Sequence, residues 1–526
     1  MSRIIRILLL ALLGITGFTG YEVWRNASVE KIPARDRSLK LNVNTSRVLQ
    51  ALEQGRAYDA SILEDAHTYV SRRFDTSDFR LQSLARILYQ HRAALDEADY
   101  ETIRSTFLEF KYWMDQPGRD SMCYWSENHQ LLFAASEFLA GQYWAEEVFS
   151  NSGLSGSEHR ALARERILTW LEQRWLYGFT EWYSNTYYVE DIAPLANLID
   201  FADDAEIVVK SQIILDLLLY DVATQAHRGT FISSSGRMYG NGKRYPEKNS
   251  MQAVIDTIWD PAQWGREPSQ RVGMDLNFIL VDNYEVPEPI RAIGEDVERE
   301  VVIRASTGLN LDELAAEGLI GLEDRQIMMQ WGMEAFSNDL VIDNTVAYLQ
   351  RNDMLVNEFL HDFNAFNLGI LKYTGMLPVL SRRLDPVTNG TAIQRANTYT
   401  FKTPDYMLAS AQAYHPGTYG DQQHLWNAVL SREVSVFTTH PAKPLSDKGA
   451  LSGSPGYWVG SGRLPHVVQD RNVVLNIFRI PGQKGFMESS IQDYTHAHFP
   501  SERFDEVRLE GRYAFGRAGD TFAAFI

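Results

Sequence analysis

The chain reads as an α+β multidomain protein, an N-terminal α/α toroid of helical hairpins followed by an antiparallel β-sandwich. Three observations predict this. From about residue 46 to about residue 380 apolar residues recur at helical spacing, as in Leu81–Tyr89, Leu131–Leu139, Ile167–Leu176, Ile192–Phe201 and Ile213–Ala226. No βαβ alternation interrupts them, so the region is expected to be all-α. Beyond Arg383–Asn397, punctuated by Pro386, Asn389 and Gly390, the apolar runs become short and β-rich, separated by turn signals. Finally, a Trp-x-x-Asn pattern occurs twice, at Trp125–Asn128 and Trp182–Asn185, 57 positions apart. Self-similarity at such a period suggests stacked supersecondary units.

The elements follow in order. Arg3 and Arg6 flank an apolar run from Ile7 to Phe18 that continues with interruptions to Trp24. A basic start before an apolar stretch is the pattern of an export signal, so residues 1–24 are expected to be a signal peptide or an uncleaved signal-anchor. Either places the remainder outside the cytoplasm, in the periplasm or cell envelope. Residues 25–45 are polar and read as a tether. Residues 46–385 form the predicted toroid, with a Gly-rich polar loop from Gly229 to Pro246. Residues 395–526 form the predicted sandwich, with strands at Asn397–Lys402, Val434–Thr439, Val473–Ile480 and Phe522–Ile526 and turns at Pro416-Gly417, Gly453–Gly456 and Pro481-Gly482. The last run ends the sequence, so an incomplete sandwich is expected.

Composition narrows the function. The net charge of -18 argues against nucleic acid, which needs a basic footprint. With 12 Trp and 25 Tyr the chain is rich in rings that suit sugar faces as well as cores. A single cysteine, Cys123, excludes an intrachain disulfide and reads as a buried thiol. No P-loop, GxSxG, HExxH or dinucleotide-binding fingerprint is present.

The chemistry-bearing residues cluster around the repeat. Trp125-Ser126-Glu127-Asn128-His129 precedes one helical run, and Glu181-Trp182 with Asn185-Thr186-Tyr187-Tyr188-Val189-Glu190-Asp191 precedes another. Equivalent positions at two inner-helix starts would face a common cleft. There Trp125, Trp182, Tyr187, Tyr188, Glu127 and Glu181 would contact a sugar. The alternative for Asn185 is a helix cap followed by core tyrosines. A third cluster, Arg228 to Tyr239, sets Arg237 beside Tyr239 in a polar loop. An Arg so placed stabilises a phenolate or holds an anion, and the Tyr can move protons; the alternative is a solvated loop. His424, beside Gln422, Gln423 and Trp426, is a candidate for the cleft rim. Tyr494, His496 and His498 alternate along a possible strand, but no carboxylate or Cys partner completes a metal site. No cofactor is expected, with a divalent metal as the open alternative.

A toroid followed by a sandwich resembles the polysaccharide lyases of the hyaluronate and chondroitin lyase type, and the heparinase II/III-type proteins. In the former an Asn follows an aromatic-rich segment, and a stretch beginning Gly-Ser/Thr-aromatic reaches a catalytic Tyr about ten residues on. Asn185, Gly229-Thr230-Phe231 and Tyr239 are similar to that pattern. The segment Gly456-Tyr457-Trp458 with Gly462-Arg463-Leu464-Pro465 is similar to a Trp-and-Pro segment of those sandwiches. The resemblance implies that Asn185 binds a carboxylate and Tyr239 transfers a proton. Those lyases carry a His midway between that Gly and Tyr, where this chain has Ser234, so His129 or His227 is left to supply it. The expected function is therefore an extracytoplasmic carbohydrate-active enzyme. The leading form is a polysaccharide lyase cleaving a uronate-containing glycan by β-elimination, with Tyr239, Asn185, Asn128, His129 and Arg237 as the catalytic set. One alternative is a glycoside hydrolase using Glu127 with Glu181 or Asp191. Another is a non-catalytic glycan-binding or envelope-assembly protein. The expected partners are a poly- or oligosaccharide and, through the N-terminal segment only, a membrane.

Overall fold

In a computed structural model, residues 3–384, 392–414, 422–446, 453–460, 463–480, 482, 484 and 490–526 are described, with backbone alone for residues 3–13 and 15. Pro386, Asn389, Gly390, the Pro416-Gly417 turn, Gly462 and Pro481 lie outside the described residues.

The chain is mixed α+β. Its first 250 residues are dominated by helices, and the reasons are local. The helix Gly156–Tyr177 opens on a capping box in which Ser155 and Glu158 satisfy each other's backbone N–H groups. The helix Ala205–Gln225 opens on Asp204, whose carboxylate accepts from the N–H groups of Glu206 and Ile207. Buried ion pairs then fix one helix against another. Arg86, on Ser77–His91, meets Asp200 at 2.8 Å at the end of Tyr188–Phe201. Glu137, on Glu127–Tyr143, binds both Arg166 (3.0 Å) and His159 (2.7 Å) of Gly156–Tyr177. Pro194 sits inside the helix Tyr188–Phe201; it brings no N–H, so the carbonyl of Glu190, four residues earlier, loses its helical donor.

The strands are β1 (Ala226–His227), β2 (Thr230–Phe231), β3 (Val301–Thr307), β4 (Ala396–Lys402), β5 (Met407–Ala411), β6 (Trp426–Ser431), β7 (Val434–Thr439), β8 (His466–Asp470), β9 (Val473–Ile477), β10 (His496–His498), β11 (Glu506–Glu510), β12 (Tyr513–Ala518) and β13 (Thr521–Phe525). Six form an antiparallel sheet in the order β10-β7-β6-β5-β4-β3, while β8-β9 and β11-β12-β13 pair among themselves.

β3 corrects the reading of an uninterrupted helical range. It pairs with β4 over seven residues, Val301 opposite Lys402 through Thr307 opposite Ala396. The run Val301-Val302-Ile303 is β-branched, which suits a strand. The sheet thus recruits a strand from inside the helical region. A single cluster of buried side chains runs from Val48 through Trp170 and Leu218 to Leu408 and Val467, so helices and sheet share one core.

Candidate functional site

The two Trp-x-x-Asn segments do meet, through a buried carboxylate. Glu127 is fully buried and ion-paired with Arg174. It also accepts the backbone N–H groups of Thr180 (2.5 Å) and Glu181 (3.3 Å), which lead into Trp182. The copies are not at equivalent helix positions, however. Glu127 begins its helix, two residues after Trp125, whereas the second helix begins at Tyr188, six residues after Trp182.

Both indoles are core residues and offer no face to a sugar. Trp182 packs edge-on to Tyr183 and lies beside Tyr414, and Trp125 is boxed by Trp331, Phe336 and Phe359. Tyr188 is buried too, its hydroxyl donating to Asp221 (3.1 Å) and accepting the Tyr183 N–H (2.8 Å). Asn128 is fully buried. Asn185 is buried with its amide donating to the Gly242 carbonyl (3.3 Å). It ties its own loop to the short helix Gly240–Arg244, which follows Tyr239 directly, and so positions that phenol. His424 is buried and bonded to Asn427 (3.1 Å), which removes it from a cleft rim. His496 and His498 are satisfied by the Tyr457 hydroxyl (2.6 Å) and the Ser435 carbonyl (2.9 Å). Among the described residues no His, Cys, Asp and Glu grouping suits a metal.

What remains accessible converges on Arg237. Its loop is delivered by the β1–β2 hairpin, which turns through Arg228 and Gly229 at φ 48° and 69°. Gly229 is needed there, because a Cβ would fall 2.3 Å from the Trp264 ring. The loop is then held from two sides. Ser235 exchanges backbone bonds with His424 (2.7 and 2.8 Å), and the Met238 N–H donates to the Gln422 carbonyl (3.0 Å). Opposite, the Gly236 N–H donates to the Trp182 carbonyl (2.8 Å), an approach that leaves no room for a side chain.

Arg237 therefore sits between fixed partners, bonded to Glu181 (2.6 Å), Glu334 (3.1 Å) and the Gln422 side chain (2.6 Å). Its guanidinium lies 4.4 Å from the centre of the Tyr187 ring, within cation–π range. The hydroxyls of Tyr187 and Tyr239 are 2.7 Å apart, and both side chains are half-buried. Burial holds the Tyr187 phenol well above its ordinary range against the opposing pull of Arg237, so it is a proton donor at neutral pH.

His129 supplies the imidazole. It lies in the first turn of Glu127–Tyr143, stacked on Phe79, and its Nδ1 meets the Asp78 carboxylate at 2.7 Å. A carboxylate can only accept, so Nδ1 carries a proton and Nε2 is the ring's free edge. Burial opposes a charge on the ring, but Asp78 outweighs it and raises the His129 pKa. The Arg237 charge weakly opposes a charge on His129, and the His129 charge weakly favours an ionised Glu190. Glu190 is half-buried, and burial pushes its pKa up to about 8. Asp191 is buried, and burial, with Glu127 and Glu181 close by, holds it well above the ordinary carboxylate range. Burial thus disfavours the charged form of both carboxyls, while Glu181 and Glu334 pair with Arg237 and Asp78 pairs with His129.

His227 is buried on the Thr403 carbonyl (3.0 Å). Burial lowers its pKa to about 4, and it lines a separate cavity of about 950 Å³ with Arg228 and Trp264. Asp78, Glu334 and the Arg237 contact of Gln422 carry no signal in the sequence, whereas Glu190 belongs to the polar cluster that follows Asn185. Compared with protein-family models, curated proteins and solved structures, the chain finds no match.

Proposed function

We propose that the protein is an extracytoplasmic polysaccharide lyase, acting on a uronate-containing glycan from an α/α-toroid and β-sandwich frame. One observation carries this reading. The Tyr187–Tyr239 phenol pair lies against Arg237, whose charge is felt by an imidazole held by Asp78. β-Elimination needs this inventory. A cation neutralises the uronate carboxylate so that the C5 proton becomes acidic. A base then takes that proton, the electrons form the C4–C5 double bond, and the departing O4 oxygen takes up a proton. Arg237 and His129, whose charged form Asp78 favours, fit the first task, and Tyr239, hydrogen-bonded to Tyr187, fits the proton transfers. Asn185 and Asn128 leave the catalytic set because they are 1% and 0% exposed, against 6% for His129 and the half-buried Arg237 and Tyr239, and Asn185 becomes a positioning residue.

A glycoside hydrolase is the second reading, favoured by Glu190, a carboxyl protonated at pH 7 as a general acid must be. Glu127 cannot serve it, because Arg174 and two backbone N–H groups use its oxygens. The two readings separate in a pair of variants. Tyr239→Phe is expected to lower kcat on the order of a hundredfold with little change in KM, whereas Glu190→Gln is expected to be mild. The reverse ranking selects the hydrolase. The N-terminal segment is proposed to hold the enzyme at the outer face of a membrane, with no cofactor required.

A further inference from the structure

Among the described residues no helix is long and apolar enough to cross a membrane, yet the helix Arg3–Ala27 is fastened tightly to the body of the protein. The Asn26 amide donates to the carbonyls of Asn364 (3.0 Å) and Asn367 (2.6 Å), and Glu22 accepts the N–H of Gly369 (2.9 Å). Phe18, Tyr21 and Trp24 stay more than half exposed on this docked helix.

Gly369 opens a second apolar feature. Two short helices, Gly369–Tyr373 and Met376–Arg383, expose Ile370 (37%), Tyr373 (89%), Met376 (47%) and Val379 (46%). They form two pairs three residues apart, Ile370 with Tyr373 on the first helix and Met376 with Val379 on the second. Residues 369–383 hold Lys372, Arg382 and Arg383 and no Asp or Glu, in a chain whose net charge is -18. Arg382 is paired with Asp339, while Lys372 and Arg383 are exposed.

We infer that the 369–383 hairpin is a second membrane contact, seating on the interface of an anionic bilayer beside the docked N-terminal helix. This rests on the proposed membrane placement and adds where the body touches the surface. The physical case has three parts. An exposed set of Tyr, Met, Ile and Val side chains matches what partitions at a headgroup boundary, where amphipathic rings are favoured. A basic, acid-free segment whose Lys372 and Arg383 are exposed is complementary to anionic headgroups. Finally, a stable peripheral anchor takes two signals, and the bond from Gly369 to Glu22 sets the hairpin directly against the first one.

The test uses the full chain with Cys123→Ser and a polarity-sensitive fluorophore on Met376→Cys. The vesicles are phosphatidylcholine with phosphatidylglycerol, with or without a quencher on the acyl chains. A control label sits on Val209→Cys, exposed on the helix Ala205–Gln225. At least a twofold loss of emission at 376, with none at 209, is expected. Lys372→Gln with Arg383→Gln is expected to reduce that loss while the protein still floats with the vesicles. Flotation without quenching at 376 overturns the hairpin seat and leaves the N-terminal anchor standing. Absence of flotation overturns both. Burial of the 376 label by self-association without vesicles assigns the exposed side chains to a second copy of the chain and also overturns the seat.

Discussion

Replacing Glu127 by Gln tests whether this carboxylate is structural or catalytic. Glu127 is fully buried and Arg174 nearly so, and the carboxylate also fixes the backbone that leads to Trp182 and Tyr187. Removing one partner of a buried pair leaves the other charge uncompensated, at a cost of about 3–5 kcal/mol. Two features place the loss near the lower end. Gln keeps an oxygen for the Thr180 N–H, and Asp191, held neutral by burial and by the Glu127 charge, can ionise toward Arg174 once Glu127 is neutral. A loss of about 3 kcal/mol follows, read as a lowered urea midpoint in tryptophan fluorescence. Adding Asp191→Asn removes the compensation and lowers the midpoint further. Activity per folded molecule should stay within a few-fold of the parent. An unchanged midpoint with activity abolished would refute this reasoning and return Glu127 to the chemistry.

Asp78→Asn removes the charge that raises the His129 pKa. A raised imidazole is charged below its folded pKa and discharges as pH climbs through it, so the alkaline limb of kcat/KM should move to lower pH, with about a tenfold loss for each unit that the limb falls below the assay pH. Trp125→Ala empties a pocket walled by Trp331, Phe336 and Phe359 and should cost about 3–5 kcal/mol of stability; weaker glycan binding at unchanged stability would contradict its place in the core. Arg237→Lys keeps a charge but loses the planar fork shared among Glu181, Glu334 and Gln422. It should lower kcat at least tenfold, and a variant with parental kinetics would remove Arg237 from the site.

The helical-to-β change, a contact between the two Trp-x-x-Asn segments and four residues of the candidate cluster, His129, Tyr187, Arg237 and Tyr239, were legible in the sequence, but a shared cleft at equivalent helix starts was not the form the contact took. These were legible because periodicity and residue chemistry are local. The missed features are not local. β3 is a seven-residue strand whose partner lies far along the chain, so nothing near Val301 announces the pairing. Asp78 stands in the first turn of its own helix, where an acid is ordinary, and only the fold brings it to His129. The indoles were misjudged for a related reason. A Trp beside polar residues suits a sugar platform and a core edge equally, and packing by Trp331 and Tyr414 decides between them.

The proposed activity is tested most directly by digesting a panel of uronate polymers while following the ultraviolet absorbance of unsaturated products and, in parallel, new reducing ends. The account predicts that on at least one polymer the two signals rise together, one unsaturated terminus for each bond broken. Reducing ends without the unsaturated chromophore would contradict it and establish hydrolysis, and glycan binding with neither signal would establish a binding protein.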